Sequence, residues 1–133
     1  MSKNRWTASR TTVYNLGYHV IFCPKYRRKV LTGQIVQRLY ELFEAKADEL
    51  GIDIRDITIM PDHVHLFIKA VPTLAPHFII GQLKGYSSKI LREEFPALKS
   101  RLPSLWTRNY YIESVGHISE SALRKYIEDQ KGK

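Results

Sequence analysis

The sequence predicts an α+β fold in which two helices pack on one face of an antiparallel sheet. Four short segments have the alternation or the β-branched and aromatic composition of strands, and two longer segments carry apolar residues at helical spacing. Their order, β-α-β-β-α-β, is the split βαβ arrangement of ferredoxin-like and RRM-like domains. A further helix is predicted at the C-terminus. At 133 residues the chain has the length of one domain, so we expect residues 1–133 to form a single unit.

The first half of the chain supplies two strands and a helix. Residues 14–22, "YNLGYHVIF", place apolar side chains at every second position and predict the first strand. Apolar residues recur at helical spacing over 34–50, and Gly51 provides the stop. Residues 52–60 predict the second strand. Its apolar phase slips near Asp56, which indicates a β-bulge or an edge position.

The second half begins with a turn and a third strand at 63–70. A second helix fits 74–95, with Thr73 as a possible cap, a proline in its first turn, and Pro96 as its end. Residues 105–113 predict the fourth strand. The basic side chains of the second helix are expected to face solvent: Lys84, Lys89 and Arg92.

Two histidines lie in the third strand, in the run "MPDHVHLFIKA". Because side chains alternate across a strand, His63 and His65 point to one face of the sheet, and the apolar residues between and after them point to the helices. Two imidazoles so close together can bind one metal ion or one phosphate. We favour a metal site over two structural histidines. His19, on the polar face of the first strand, is a possible neighbour, and Asp62 is expected to serve the turn.

Two ligands are too few for tight metal binding, so a third must come from elsewhere in the chain. A terminal helix, capped by Ser119 and running to about 130, offers candidates. Tyr126 and Gln130 are four residues apart and therefore share one face of this helix. A phenol and an amide oxygen are thus presented together, on an element that the topology can place against the histidines. Taken alone, Tyr126 is better interpreted as a half-buried helix residue.

The charge of the chain points to a polyanionic partner. Its formal net charge is +8, from 21 Lys and Arg against 13 Asp and Glu. Four basic residues form a block in "CPKYRRK" that favours phosphate contact, with a solvated turn as the alternative: Lys25, Arg27, Arg28 and Lys29. No apolar run approaches the roughly 18 residues of a membrane span, and the first ten residues lack the apolar core of a secretory signal. We therefore expect a soluble, cytoplasmic protein with no membrane partner.

Four segments together resemble a known family. "VIFCPKYRRKVL", "MPDHVHLFI", "LWTRNYYIESVG" and "ALRKYIEDQ" are similar, in this order, to the HUH-class single-tyrosine transposases, the TnpA-type enzymes of insertion sequences that move as single-stranded DNA. The resemblance implies that Tyr126 is the nucleophile and forms a 5′-phosphotyrosine link to DNA. It also implies that His63, His65 and Gln130 hold a divalent metal, Mg2+ or Mn2+. Imidazole ligands make manganese the better chemical compromise.

The same resemblance implies the partners. They are single-stranded DNA with hairpin ends and a second copy of the chain, in a homodimer whose sites combine the histidines and the tyrosine helix within one chain or between two. No nucleotide cofactor is expected, because the glycines of "GQLKGYSSK" do not have the spacing of a phosphate-binding loop.

Two other functions compete with transposition. The first is an RRM-like module that binds single-stranded nucleic acid without catalysis, although "HVHLFIK" has only Phe67 as an aromatic on the histidine face. The second is a metal-dependent phosphodiesterase that uses water.

Tyr110 and Tyr111 rival Tyr126 as nucleophiles, but their strand context favours packing or base stacking.

Overall fold

The computed structural model describes residues 7–8 and 13–115, and it confirms the mixed α+β fold. The elements of these ranges are, in chain order, β1 (Thr7–Ala8), β2 (Val13–Tyr14), β3 (Gly17–Phe22), a 3-10 turn (Lys25–Arg27), α1 (Gln34–Leu50), β4 (Asp53–Met60), β5 (His63–Lys69), α2 (Pro76–Glu94), α3 (Pro96–Arg101) and β6 (Tyr111–Ser114). The predicted terminal helix lies outside the described residues. A single domain over residues 1–133 stays a prediction.

The main sheet has four strands in the order β4-β5-β3-β6, and every neighbouring pair is antiparallel. This order confirms the split βαβ arrangement, because β3 and β5 occupy the interior while β4 and β6 lie at the edges. β1 and β2 form a separate antiparallel pair. The strand with the two histidines is therefore held by a ladder of hydrogen bonds on both sides.

One face of the sheet is covered by α1 and α2. The core side chains of β3 and β5 alternate with those of the opposite face, as the period of a strand requires. Aromatic rings add edge-to-face contacts at the centre of this layer, where Phe22 meets Phe43 and Trp106. The buried strand residues that face the helices are Val20, Phe22, Val64, Leu66 and Ile68.

The first half of the chain follows its pattern closely. The helix predicted over 34–50 is α1, and Gly51 ends it in the left-handed conformation with a φ of 73°. The bulge predicted near Asp56 is a register shift between Ile54 and Asp56. The strand predicted over 14–22 is split, because Tyr14 pairs with β1 and β3 begins only at Gly17.

In the second half, two expectations are wrong in detail and one is incomplete. Thr73 does not cap α2, which begins after Ala75 without any side-chain cap. Pro96 ends α2 but also opens the short helix α3, since proline fits the first helical position. Only the last part of the 105–113 prediction is in β6; Trp106 instead forms an isolated bridge with Pro24 and is buried in the core.

Lys84 of α2 was expected to face solvent, but it is half-buried and bonded to the backbone. Its ammonium donates hydrogen bonds to the carbonyl oxygens of Thr107, at 2.6 Å, and Asn109, at 3.2 Å. Burial lowers its pKa. Lys84 therefore connects α2 to the irregular segment that precedes β6. Among residues 7–8 and 13–115, no helix combines the length and the apolar character that crossing a membrane requires.

Candidate functional site

The histidine pair of β5 lies on the sheet face opposite the two helices, as the alternation predicted. Val64 and Leu66 are fully buried in the helix-side core, so His63 and His65 must point the other way. The two histidines are themselves buried, with exposed fractions of 8% and 2%. They are two positions apart on one strand, about 6.6–6.8 Å along its axis, so their rings can approach one ion.

His19 joins the pair from the neighbouring strand, as expected. The backbone register opposes Ile21 to His65 and His19 to Phe67. His19 Nδ1 lies 3.2 Å from His65 Nε2, and the two rings stack at 5.3 Å between centroids. The His19 ring also stacks on Phe67, at 4.7 Å between centroids. The position of His65 is thus fixed by a stack of three rings.

Burial is the main reason why the pKa of His65 is lowered, to about 4, and the nearby His19 lowers it further. Burial also lowers the pKa of His19, although Glu113 and Asp56 act in the opposite direction. Both rings are therefore neutral at pH 7. A neutral imidazole is the form that binds metal ions, so His65 needs to release no proton before it can bind one.

His63 is oriented by Asp62 and Arg27. Asp62 Oδ1 lies 2.9 Å from His63 Nδ1, and the guanidinium of Arg27 lies 3.3 Å from Asp62 Oδ2. Burial raises the pKa of the Asp62 carboxyl, but the hydrogen bond to His63 and the charges of His63 and Arg27 outweigh it, so the pKa is lowered overall. Asp62 is thus more than a turn residue. A carboxylate behind a histidine is the partner that orients ligating imidazoles in many metal sites.

These contacts decide which nitrogens can bind a metal. A proton on His63 Nδ1 satisfies Asp62 and leaves a lone pair on Nε2. His65 keeps a lone pair for a metal, on Nδ1, only in the tautomer whose Nε2–H donates to His19 Nδ1; in the opposite direction of this hydrogen bond, Nδ1 carries the proton. Two imidazoles with a carboxylate behind one of them fit a divalent transition ion. Within the described part of the chain, no cluster of three or more His, Cys, Asp or Glu could hold a metal, so further ligands must be of another type or origin.

Tyr111 shares the sheet face of the histidines. It pairs with Ile21, which in turn pairs with His65, so the three residues form one row across three strands. Its hydroxyl donates to Glu113 Oε2 at 3.1 Å, and burial together with this bond raises its pKa. A raised pKa opposes formation of the phenolate. Tyr110, the other rival, lies with its hydroxyl 2.7 Å from His77 Nδ1, and its side chain packs on the core.

The four side chains of the basic block do not all face solvent. Arg28 and Lys29 are exposed and Lys25 is half-exposed, as phosphate contact requires, whereas Arg27 points to Asp62. The structure thus connects one predicted DNA-binding residue to the histidine site, a contact that the sequence did not reveal. Tyr126 and Gln130 lie outside the described residues, and their roles as nucleophile and metal ligand stay predictions.

Comparison with known proteins places this fold among the transposases. The chain belongs to the IS200-like transposase family, whose model matches residues 12–130. It is 36% identical over 126 residues to the ISDra2 transposase TnpA of Deinococcus radiodurans, which covers 93% of this chain and 90% of the relative. It is 30% identical over 121 residues to the transposase for insertion sequence element IS200 of Salmonella typhimurium, covering 90% and 79% of the two chains.

Solved structures agree with this assignment. A crystal structure of a Deinococcus radiodurans chain assigned to the transposases matches with a TM-score of 0.80 at 31% identity, over 93% of this chain and 97% of that one. A REP-associated tyrosine transposase bound to a REP hairpin matches with a TM-score of 0.61, over 93% and 68% of the two chains. At 13% identity, this second likeness shows the fold alone.

Proposed function

We propose that this transposase cleaves and rejoins single-stranded DNA at the hairpin-bearing ends of a mobile element, through a 5′-phosphotyrosine link on Tyr126. The observation that carries the proposal is the histidine pair: two buried imidazoles side by side, one of them backed by a carboxylate, in a chain of the IS200-like family. This arrangement suits a metal-assisted reaction at a phosphodiester.

The reaction balances without an external energy source. The Tyr126 oxygen forms a bond to phosphorus while the bond from phosphorus to the 3′-oxygen breaks, so the phenol loses a proton and the leaving oxygen gains one. The phosphodiester energy is kept in the tyrosine link, and attack by a 3′-hydroxyl reverses the step. Burial and the hydrogen bond to Glu113 raise the pKa of Tyr111, which opposes its use as the nucleophile.

His63, His65 and Gln130 are proposed to hold Mg2+ or Mn2+. When bound, such an ion polarises the scissile phosphate and stabilises the charge of the transition state. His65 contributes a neutral nitrogen donor, and Asp62 keeps the His63 ring in its orientation. The imidazole donors favour manganese over magnesium.

We propose single-stranded DNA with hairpins as the substrate. A net charge of +8, with exposed Arg28 and Lys29 on the turn beside the site, suits a phosphate backbone. The solved relative bound to a REP hairpin has the same fold. A homodimer is proposed as well, in which Tyr126 serves the histidines of its own chain or of the second copy.

The test uses end-labelled single strands that carry candidate hairpins, incubated with the protein and Mn2+ and resolved on a denaturing gel. The wild type and Tyr111→Phe should both give a covalent band of protein and DNA, whereas Tyr126→Phe should give none. Cleavage that survives in Tyr126→Phe would assign the chemistry to water and replace the proposal with a phosphodiesterase. Binding without cleavage by the wild type would leave a nucleic-acid-binding module.

A mixing experiment tests the dimer. Neither His63→Ala nor Tyr126→Phe should form the covalent band alone, but if the site is shared between chains, their mixture should restore part of the activity. If each chain builds its own site, the mixture stays inactive while the wild type still elutes as a dimer in size-exclusion chromatography. A monomeric wild type that cleaves DNA would contradict the proposed homodimer.

A further inference from the structure

The backbone of the turn between β3 and α1 is strained at two successive positions. Tyr26 has a φ of 60° with a ψ of 19°, and Arg27 has a φ of 50°. Among the described residues these are the only non-glycine residues with positive φ. Side chains with a Cβ rarely adopt this region because the Cβ approaches the carbonyl oxygen, so the surrounding contacts must impose it.

Those contacts are present on both sides of the turn. Pro24 forms a bridge with Trp106, and the N–H of Lys25 donates to the carbonyl of Leu105 at 2.8 Å. The N–H of Arg27 donates to the carbonyl of Pro24, also at 2.8 Å. The turn is therefore fixed to the core. A conformation that costs energy and is held this firmly commonly marks a functional site.

With both residues at positive φ, the side chains of Tyr26 and Arg27 point in opposite directions. Arg27 turns inward and pairs with Asp62, the residue that orients His63. Tyr26 turns outward and is 64% exposed, with the Lys25 ammonium 5.4 Å from its ring centroid. Packing does not explain an aromatic ring in that position, because burial is what normally stabilises it.

We propose that Tyr26 is a platform on which an unpaired base of the single-stranded DNA stacks, beside the histidine site. This inference rests on the proposed function, since it needs single-stranded DNA at that site. The Lys25 ammonium lies 5.4 Å from the ring centroid, and Arg28 and Lys29 follow in the same turn and are exposed, so these cations can contact the phosphates beside a stacked base. An aromatic ring flanked by cations is the pattern of single-strand binding, whereas a protein partner needs a contiguous apolar patch.

The experiment compares three variants of the full chain. Tyr26→Asn removes the ring but tolerates positive φ, Tyr26→Phe keeps the ring, and Arg28→Ala removes a neighbouring charge. Because stacking is worth about 1–3 kcal/mol per base, Tyr26→Asn should weaken the Kd for single-stranded DNA about 5- to 150-fold, and Tyr26→Phe should bind like the wild type. Tyr26→Asn should keep the salt dependence of the wild type, while Arg28→Ala should reduce its slope by about one.

Two further readouts separate stacking from a structural role. Relief of the strain should leave the unfolding temperature of Tyr26→Asn at or above that of the wild type. Strands with 5-iodouracil at successive positions near the cleavage site should cross-link to Tyr26 under ultraviolet light at one of those positions, as located by mass spectrometry. A lower unfolding temperature for Tyr26→Asn, unchanged DNA affinity, or a cross-link that maps only to other residues would each overturn the inference.

The covalent assay, run in parallel, keeps the two proposals apart. If the wild type forms the tyrosine link while Tyr26→Asn binds DNA normally, only the stacking inference fails. If the wild type cross-links to DNA through Tyr26 but forms no phosphotyrosine link on Tyr126, only the cleavage proposal fails. If the wild type binds no single-stranded DNA, both fail.

Discussion

The buried His65 makes the stability of the protein dependent on pH. Its pKa falls from 6.5 to about 4 on folding, so between these values the unfolded chain binds more protons than the folded protein. The stabilisation is complete above pH 6.5, is lost as the pH falls to about 4, and changes no further below that. At about 1.4 kcal/mol for each pH unit in this window, the loss is about 3 kcal/mol of the free energy of unfolding.

Urea unfolding between about pH 7 and about pH 4.5, with a chelator present, measures this loss. Other groups also titrate in this range, so the decisive quantity is the difference between the wild type and His65→Gln. The variant should have a flatter pH dependence because it lacks the titrating ring. His19, whose pKa burial also lowers, is present in both proteins.

Val64→Ala is the matched control. Val64 adjoins His65 on β5 but faces the helix-side core, so its truncation should lower the stability by a similar amount at every pH. If the pH dependences of the wild type and His65→Gln run parallel to within about 0.5 kcal/mol, burial does not suppress the protonation of His65.

Three further predictions concern the site and the fold. Asp62→Ala should weaken Mn2+ binding about 10- to 100-fold in calorimetry, because His63 loses the acceptor that orients it. Asp53→Ala, at an exposed position of β4, is the control. Equal Mn2+ affinities of Asp62→Ala and the wild type would contradict the role of Asp62. Leu66→Ala, in the fully buried centre of β5, should lower the free energy of unfolding by about 2–5 kcal/mol, as measured with urea. A loss below about 1 kcal/mol would mean that the core collapses around the smaller side chain. Gly51→Ala should cost about 1 kcal/mol, because the helix stop needs a φ of 73°; an unchanged unfolding midpoint would show that the chain ends α1 in another way.

Local periodicity was sufficient to predict α1, α2 and the strands β4 and β5, but not the bounds of β6 or the short helix α3. The apolar spacing over 34–50 and the glycine after it define α1 to the residue, and alternation alone assigned His63 and His65 to the face away from the core. Such features depend on neighbours within one element, where a single sequence is most informative. The bulge near Asp56 was visible for the same reason, because it interrupts that periodicity.

Contacts between distant segments could not be read in this way. The approach of Arg27 to Asp62 joins residues 35 positions apart, and the burial of Lys84 depends on carbonyls 23 and 25 positions away. Both side chains were expected at the surface because they are charged. Nor does the stretch around Tyr26 contain the glycine or asparagine that usually announces positive φ, so nothing in its composition signals the strained turn.

The interior position of β5 has a consequence for how the site behaves over time. Backbone amides of a strand paired on both sides exchange with solvent only in the rarest openings, whereas edge strands such as β4 and β6 fray more often. His65, which pairs with β3 and β4, therefore belongs to the slowest-exchanging part of the sheet, whereas His63 pairs with Met60 of the edge strand β4 and the pairing of β5 with β3 begins at Val64. The backbone that carries the proposed metal ligand His65 should thus stay folded while ions and DNA bind and leave, as the proposed function requires.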